Sequence, residues 1–208
     1  MADPSFAKLV VLVNGSLPLA LLLLDARNDQ LGPDPINAAI HVTGMTALIF
    51  ILLTLSITPV RKLSGWNFLS HFRRMLGLFA FFYALIHFST YFALEESFRV
   101  GGVVQDVLNG SAFIIYGLAA LILLIPLALT STNGMIKRLG AARWKRLHAL
   151  VYPAAALAAI HFLNVGKVVS LTSKVFAAVL VILLLYRLLA QPLARLRKIL
   201  VVKSAPQN

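Results

Sequence analysis

Six stretches of the chain are long, apolar and almost free of charge, and short polar segments separate them. A helix that spans a membrane needs about 20 consecutive, mostly apolar residues. The pattern therefore predicts six transmembrane helices, at residues about 9–24, 36–60, 75–94, 107–130, 147–166 and 175–190. We expect an all-α, polytopic membrane bundle that forms a single domain over residues 1–208.

The first of these stretches is short and is interrupted by Asn14, Gly15 and Pro18. A secretory signal peptide would carry a basic region before the apolar segment and a small-residue cleavage site after it. The only base before this segment is Lys8, and no convincing cleavage site follows it. We therefore interpret the stretch as a span. Near the end of the sixth stretch, Arg187 is expected to extend its side chain to the membrane interface.

The composition limits the chemistry that this bundle can perform. The chain is 60% hydrophobic and 12% charged, whereas a soluble domain is about half apolar and about a quarter charged. The lack of cysteine excludes disulfides, iron–sulfur clusters, thiolate zinc sites, cysteine nucleophiles and haem attached through a C-x-x-C-H motif. Six spans use about 120 residues, which leaves no room for a soluble catalytic domain, and the chain has no glycine-rich dinucleotide motif.

The net charge of +12 is distributed unevenly along the chain. Most of the bases fall at the span ends that would share one side of the membrane, namely Lys8, Arg61, Lys62, Arg73, Arg74, Lys137, Arg138, Arg143, Lys145, Arg146, Arg187, Arg195, Arg197, Lys198 and Lys203. The other side has most of the acids, namely Asp25, Asp29, Asp34, Glu95, Glu96 and Asp106. Because cytoplasmic loops retain Lys and Arg, we expect both termini in the cytoplasm. Bases at membrane interfaces, rather than on one solvated face, argue against nucleic-acid binding.

Histidines are the main ionisable residues inside the predicted spans, which contain no Asp, Glu or Lys. At about 1.5 Å per residue, His87 lies about 18 Å from the inner end of the third span, and His161 lies about 20 Å from the inner end of the fifth span. Two neutral imidazoles at matching depth on different helices can hold a haem iron from both sides. We identify His87 and His161 as the strongest candidate site, the alternative being two unrelated polar contacts.

The other three histidines allow several interpretations. His148 and His71 lie at the inner depth, where His148 could ligate a second haem with His71 as its partner, or could face lipid phosphate. On an ideal helix His148 and His161 would not share a face, since they are 13 residues apart, and Pro153 between them only partly changes this. His41, near the outer end of the second span, could ligate a metal, hydrogen-bond a quinone carbonyl or cap the interface.

Two other functions fit the same residues. A small transporter or proton channel could use histidines that titrate near neutral pH, although proton relays commonly use Asp or Glu within the spans. A scaffold could anchor a partner through the basic inner loops, and it would then tolerate alanine at all five histidines.

Long segments of the chain resemble the MsrQ (YedZ) family, the haem-bearing membrane subunits of bacterial MsrPQ methionine sulfoxide reductase systems. The segments follow one another in order across nearly the whole chain: GPDPINAAIHVTGMTAL at 32–48, ITPVR at 57–61, FRRMLGLFAFFYALIHFSTY at 72–91 and LALTSTNGMIKRLGAARWKRLHALVYPAAALAAIHFL at 127–163. The family is part of a wider ferric-reductase-like transmembrane group that includes the NADPH oxidases.

The resemblance implies a b-type haem protein of the bacterial inner membrane, with one or two haems. It would pass electrons from the quinone pool to a periplasmic molybdopterin-containing methionine sulfoxide reductase subunit, for repair of oxidised envelope proteins, and would not be catalytic alone. FMN as a cofactor and a cytosolic flavin reductase as an electron donor are further implications. The family's haem-binding histidines correspond to His87, His148 and His161, and His41 matches another family histidine. In the wider group an inner haem ligand falls near Arg73 or Arg74, so the inner site of this chain departs from that pattern.

Overall fold

The helices follow the apolar stretches of the sequence. The structure is a computed structural model that describes residues 4–111, 113–165 and 170–203, with side chains described for residues 5–189 of these. Within this part of the chain there are nine α-helices and no strand. The helices are α1 (Pro4–Arg27), α2 (Pro35–Ser64), α3 (Arg73–Thr90), α4 (Val100–Leu108), α5 (Phe113–Leu129), α6 (Asn133–Leu139), α7 (Ala141–Leu147), α8 (Val151–Asn164) and α9 (Leu171–Lys203). Short 3₁₀ helices cover Asn67–His71 and His148–Leu150, and a π-helical turn, Tyr91–Glu95, extends α3.

Five helical segments are long and apolar enough to cross a membrane: Ser5–Arg27, Pro35–Ser64, Arg73–Glu95, Ala141–Asn164 and Leu171–Leu189. A sixth candidate consists of α5 and α6, which are bent by 90° at their junction. The all-helical, multi-pass architecture expected from the sequence is therefore confirmed, with five spans or six when the bent pair is counted as one.

Several predicted span boundaries differ from the structure. Helices α1 and α9 both begin before the predicted spans, and α9 continues to Lys203. The fourth stretch was expected to start at about residue 107, but α4 ends at Leu108 and the spanning helix α5 starts only at Phe113. Gly110, with a φ of 105°, breaks the helix between them, since this left-handed conformation favours glycine. The fifth stretch begins earlier than predicted, because α7 leads into α8 through a 3₁₀ turn. Its predicted end at residue 166 lies outside the described residues.

The centre of the bundle is α2, which is half buried along its most apolar window, against 11–17% for the other four candidate spans. Its start is fixed by Asp34, whose side chain accepts a hydrogen bond of 3.1 Å from the main-chain N–H of Asn37, and by Pro35 in the first turn. Ala154 and Ala155 of α8 are fully buried. Small residues let membrane helices approach closely, so α8 packs tightly against its neighbours α5 and α9.

Helix α1, which is as little buried as α9, is attached through the hydroxyl group of Tyr83 on α3. This hydroxyl donates to the carbonyl oxygen of Gly15 (2.8 Å) and accepts from the main-chain N–H of Leu19 (3.1 Å). Pro18 lies between these two residues and has no N–H to continue the helical ladder. Tyr83 therefore satisfies main-chain groups of α1 at the place where its own hydrogen bonding is interrupted.

Arg187, which the sequence predicts to reach the membrane interface, makes hydrogen bonds to neighbouring helices. Its guanidinium turns into the bundle and donates to the carbonyl oxygen of Leu55 (3.0 Å) and to the hydroxyl of Thr58 (3.2 Å), both on α2. It also donates to the hydroxyl of Tyr152 on α8. Nη1 and Nη2 thus find acceptors on two neighbouring helices, whereas the buried Nε has no hydrogen-bond partner among the described residues. Arg187 joins α9 to α2 and α8.

The contacts of α1 and α9 place the start of α1 and the Arg187 turn of α9 at the same end of the bundle. Val10 and Val11 of α1 line an apolar groove with Leu69 and Phe72, just before α3. Arg187 of α9 contacts the last turns of α2. The loops from α2 to α3 and from α5 to α8 lie at this same end, where Arg74 donates to the side-chain oxygen of Asn133 (2.5 Å). The predicted basic side thus corresponds to one end of the bundle, and its assignment to the cytoplasm stays a prediction from charge.

Candidate functional site

Two histidines from different helices face each other at the end of the bundle opposite the basic loops. His87 lies in the last turn of α3 and His161 in the last turn of α8. Their ring centroids are 5.9 Å apart, and the ring planes make an angle of 79°. The residues for which the sequence predicted a common depth are therefore neighbours in the structure.

Both rings are oriented by main-chain carbonyl groups of a third and a fourth helix. Nδ1 of His87 lies 2.8 Å from the carbonyl oxygen of Ile40 on α2. Nδ1 of His161 lies 2.9 Å from the carbonyl oxygen of Phe113 on α5. Because a carbonyl oxygen can only accept, each Nδ1 must carry the proton and donate it. In the neutral imidazole this leaves Nε2 with a free lone pair, as a metal ligand requires.

A cavity of about 380 Å³ contains both rings. Its inner wall is apolar, built from residues such as Leu48, Ile51, Leu121 and Leu124. Its mouth carries polar and acidic side chains, which are Asp34, Asn37, Glu95, Asp106 and Ser111. The hydroxyl of Tyr91 donates to Oδ2 of Asp106 at this rim (2.9 Å). The cavity is suited to a large apolar group whose edge reaches the polar end of the bundle.

Four aromatic side chains line this cavity: Phe88, Tyr91, Phe113 and Phe162. Other aromatic residues of α3 pack elsewhere, since Phe79 stacks on Phe50 with centroids 5.0 Å apart and Phe82 is 53% exposed on the outside of the bundle. Only part of the aromatic cluster around His87 is thus available to enclose a bound group.

His41 is the third histidine of the cavity. It lies in the second turn of α2, is exposed, and lines the mouth near Phe162, with ring centroids 6.4 Å apart. Its position at the rim leaves ligation, hydrogen bonding to a bound molecule and interfacial capping open.

His148 and His71 lie away from this cavity. The ring of His148 stacks on Trp144 at 3.8 Å, and its Nδ1 donates to the Trp144 carbonyl oxygen (3.2 Å). Its Nε2 lies 3.4 Å from the hydroxyl oxygen of Ser131, which donates its proton to the carbonyl oxygen of Leu127 (2.6 Å). His71 is exposed, and its Nδ1 donates to the carbonyl oxygen of Phe68 (2.9 Å). Each ring is thus held by residues close to it in the chain. His148 does not line the cavity that contains His161, in agreement with the helical phase, which placed the two residues on different faces.

Sequence reasoning missed the groups that hold the two central rings. Ile40 and Phe113 contribute through main-chain oxygen, which no side-chain pattern marks. The same helices also bring Gly44 and Gly117 to the cavity wall. Glycine inside a membrane helix marks a close approach of another group, and this was the available signal.

Among the residues that the structure describes, no group of three or more His, Cys, Asp or Glu could hold a metal ion. A bare metal ion would need more protein ligands than His87 and His161 provide. A metal held in a planar macrocycle needs only two further ligands from the protein, and two imidazoles are a donor set that fits such a group.

Comparison with known proteins gives consistent matches. The family model described as "Ferric reductase like transmembrane component" matches residues 42–159. A protein of Herminiimonas arsenicoxydans named "Protein-methionine-sulfoxide reductase heme-binding subunit MsrQ" is 46% identical over 182 residues, which cover 86% of this chain and 83% of the relative. Proteins of the same name from Rhodospirillum rubrum and Brucella ovis are 42% and 43% identical, covering 92% and 88% of this chain and 90% and 82% of the relatives.

Proposed function

Since this chain belongs to the ferric reductase-like transmembrane family, among the MsrQ haem-binding subunits of the methionine sulfoxide reductase system, we propose that it carries electrons across the membrane through a b-type haem held by His87 and His161. The electrons would come from the quinone pool of the bacterial inner membrane. They would pass to a periplasmic, molybdopterin-containing methionine sulfoxide reductase subunit that repairs oxidised envelope proteins.

The single observation that carries this proposal is the paired orientation of the two rings. Each imidazole donates its Nδ1 proton to a main-chain carbonyl, so both Nε2 atoms are free to bind. A metal–imidazole bond is about 2 Å long, and a centroid spacing of 5.9 Å is of the size that one metal ion between two rings requires. The chain lacks cysteine, so the haem would be held without covalent attachment.

A bound haem would supply an iron that accepts and releases one electron at a time. The residues of this chain perform the remaining tasks. His87 and His161 would hold the haem iron, their carbonyl partners keep the protons on Nδ1, and Leu48, Ile51 and Leu124 line the inner wall, where they would exclude water. A dry, apolar wall would also affect the reduction potential, because low polarity destabilises the oxidation state that carries the larger net charge.

The position of the cavity fits transfer toward the outer side. The two rings lie at the end of the bundle opposite the basic loops, and the cavity mouth opens among Asp34, Glu95 and Asp106. If the basic end faces the cytoplasm, this mouth faces the compartment of the partner subunit. The name of the relatives describes a reductase subunit, which supports an MsrP-type partner.

A second, inner haem at His148 is a separate part of the proposal. Its Nε2 lies only 3.4 Å from the hydroxyl oxygen of Ser131, so the Ser131 side chain would need to move to admit iron. His71 would also need to move from its exposed place on the 3₁₀ helix. The inner position also has Arg73 and Arg74 where the wider group has a ligand. One haem at His87 and His161 therefore has stronger structural support than two. The FMN and the cytosolic flavin reductase implied by the resemblance stay predictions.

The test is the haem content of the purified protein and of its histidine variants. We expect a red protein with one haem per chain and a Soret band that shifts on reduction by dithionite. His87→Ala and His161→Ala should each remove this haem, whereas Phe82→Ala, on the outside of α3, should retain it.

A colourless protein after expression with added haem precursor would contradict the proposal. So would full haem retention in both histidine variants, which would also require other ligands. A transporter or proton channel, the alternative use of these histidines, predicts pH-dependent flux into liposomes by protein that contains no haem. Loss of haem from His148→Ala, with the His87 and His161 haem intact, would establish the second site.

A further inference from the structure

The two histidine–carbonyl bonds share one local arrangement. In each case the carbonyl belongs to a neighbouring helix, and the residue four positions further along that helix is glycine. Ile40 is followed by Gly44 on α2, and Phe113 is followed by Gly117 on α5. In an α-helix the N–H of residue n+4 also donates to the carbonyl of residue n. Each carbonyl oxygen therefore lies beside the backbone of its glycine.

A side chain at either glycine would collide with the histidine. Because each Cα–Cβ bond in a helix leans toward the N-terminus, a side chain at n+4 stands next to the carbonyl of residue n. A Cβ atom built on Gly44 would lie 2.8 Å from Nδ1 and 2.9 Å from Cε1 of His87. A Cβ atom on Gly117 would lie 2.8 Å from Nδ1 and 3.0 Å from Cε1 of His161. The clash is with the very nitrogen that makes the hydrogen bond.

We propose that Gly44 and Gly117 are positioning residues for haem ligation, which hold open the access of His87 and His161 to their carbonyl partners. This inference rests on the proposed haem site. The missing side chains let each ring come within hydrogen-bond distance of a helical carbonyl, which fixes the proton on Nδ1 and directs Nε2 into the cavity. The segments IHVTG at 40–44 and FIIYG at 113–117 share this arrangement: the residue whose carbonyl accepts the hydrogen bond is followed four positions later by glycine.

The hydrogen bonds have a consequence for the metal. A ligand histidine that donates its second ring proton to a carbonyl is a more basic ligand, and outer partners of this kind affect both metal affinity and potential. A more basic ligand favours the ferric over the ferrous iron. Displacing the rings from Ile40 and Phe113 should therefore weaken haem binding and raise the midpoint potential of the haem that remains.

Other glycines of the chain supply matched controls. A Cβ on Gly77, in the same helix as His87, would meet only Thr54, at 3.8 Å. A Cβ on Gly15 would lie 2.5 Å from the ring of Phe79, far from the histidines. Gly77→Ala therefore tests the replacement itself, and Gly15→Ala tests a steric clash between helices that does not involve the ligands. Alanine is a better helix former than glycine, so a weakened helix would not explain a loss of haem.

The experiment uses the full chain, purified without haem and titrated with haemin in detergent. Gly44→Ala and Gly117→Ala should each lower haem affinity by roughly 10-fold or more, raise the midpoint potential and alter the EPR spectrum of the ferric state, which reports ring orientation. Gly77→Ala should match the unmodified chain in all three. Gly15→Ala should lower the thermal unfolding temperature and leave the potential and EPR spectrum unchanged.

Unchanged affinity, potential and EPR spectrum in both Gly44→Ala and Gly117→Ala would overturn the inference. If either variant does not fold, pulsed EPR on the unmodified ferric protein decides, because the quadrupole coupling of the remote ring nitrogen reports the Nδ1–H hydrogen bond. A coupling typical of a strongly hydrogen-bonded Nδ1–H supports the inference, and one typical of an unbonded N–H overturns it. Absence of haem from the unmodified protein is a different result, which removes the proposed function itself.

Discussion

At the scale of single residues, main-chain oxygen atoms organise the site. The depth of His87 and His161 could be read from the sequence, because rise per residue in a helix is constant. The orientation of their rings could not, since the acceptors are carbonyl groups 47 and 48 residues away. The roles of Gly44 and Gly117 are also invisible without the neighbouring helices, because a glycine shows only that something approaches closely. Their alanine variants, with the histidine variants, test the site at this scale.

Tyr83 provides a prediction at the residue scale. Tyr83→Phe removes the hydroxyl that bridges Gly15 and Leu19, and Tyr83 is 3% exposed, so water cannot readily replace it. We expect a loss of about 1–3 kcal/mol in the free energy of unfolding, the cost of buried groups without a partner. Thermal unfolding in detergent measures this loss. Tyr116→Phe, at an exposed position on α5, is the control and should change little; equal stability of both variants would show that the bridge contributes nothing.

At the scale of elements, the length of the apolar stretches predicted most of the helices. It did not predict where local backbone geometry ends a helix. The spans of α1, α2, α3 and α9 follow from hydropathy, because an apolar stretch of this length has few other folds in a membrane. The break between α4 and α5 was missed, since the apolar residues Val107 and Leu108 continue the pattern while Gly110 ends the helix. The hydrogen bonds of Arg187 could not be read from the sequence, because its acceptors come from two other helices.

Arg187 carries the prediction at the element scale. Arg187→Ala removes the hydrogen bonds that join α9 to α2 and α8. We expect the free energy of unfolding to fall by roughly 2–3 kcal/mol, typical of hydrogen bonds to a charged group. Arg187→Lys should recover only part of this loss, because an ammonium group lacks the planar fork that reaches several acceptors.

The matched control for that prediction is Arg27→Ala, at the exposed end of α1. Chemical denaturation followed by tryptophan fluorescence would compare the variants. Arg187→Ala as stable as Arg27→Ala would mean that the guanidinium does not hold the helices together.

At the scale of the whole molecule, charge separates the two ends of the bundle. The basic loops, the start of α1 and the Arg187 turn of α9 share one end, and the acidic rim of the cavity lies at the other. The positive-inside tendency therefore assigns the cavity mouth to the outer compartment. This orientation is a prediction from the sequence, because it depends on which loops carry Lys and Arg rather than on how the helices pack.

Single cysteines test this orientation without background, since the natural chain has none. Asp29→Cys, in the loop between α1 and α2, should react with a membrane-impermeant maleimide in intact spheroplasts. Lys137→Cys, on α6 at the basic end, should react only after the membrane is permeabilised. The unmodified chain is the unlabelled control, and the opposite labelling pattern would reverse the topology and the proposed direction of electron flow.

The bridge from Tyr83 to α1 also constrains the order in which the protein is assembled during synthesis. The carbonyl of Gly15 is made 68 residues before the hydroxyl that satisfies it. Main-chain N–H and C=O groups without a hydrogen-bond partner are costly in the hydrocarbon core. Together with α9, α1 is the least buried of the candidate spans. The first helix to leave the ribosome should therefore remain loosely placed, at the interface or beside the insertion machinery, until α3 arrives. The helix that is translated first would be among the last to dock.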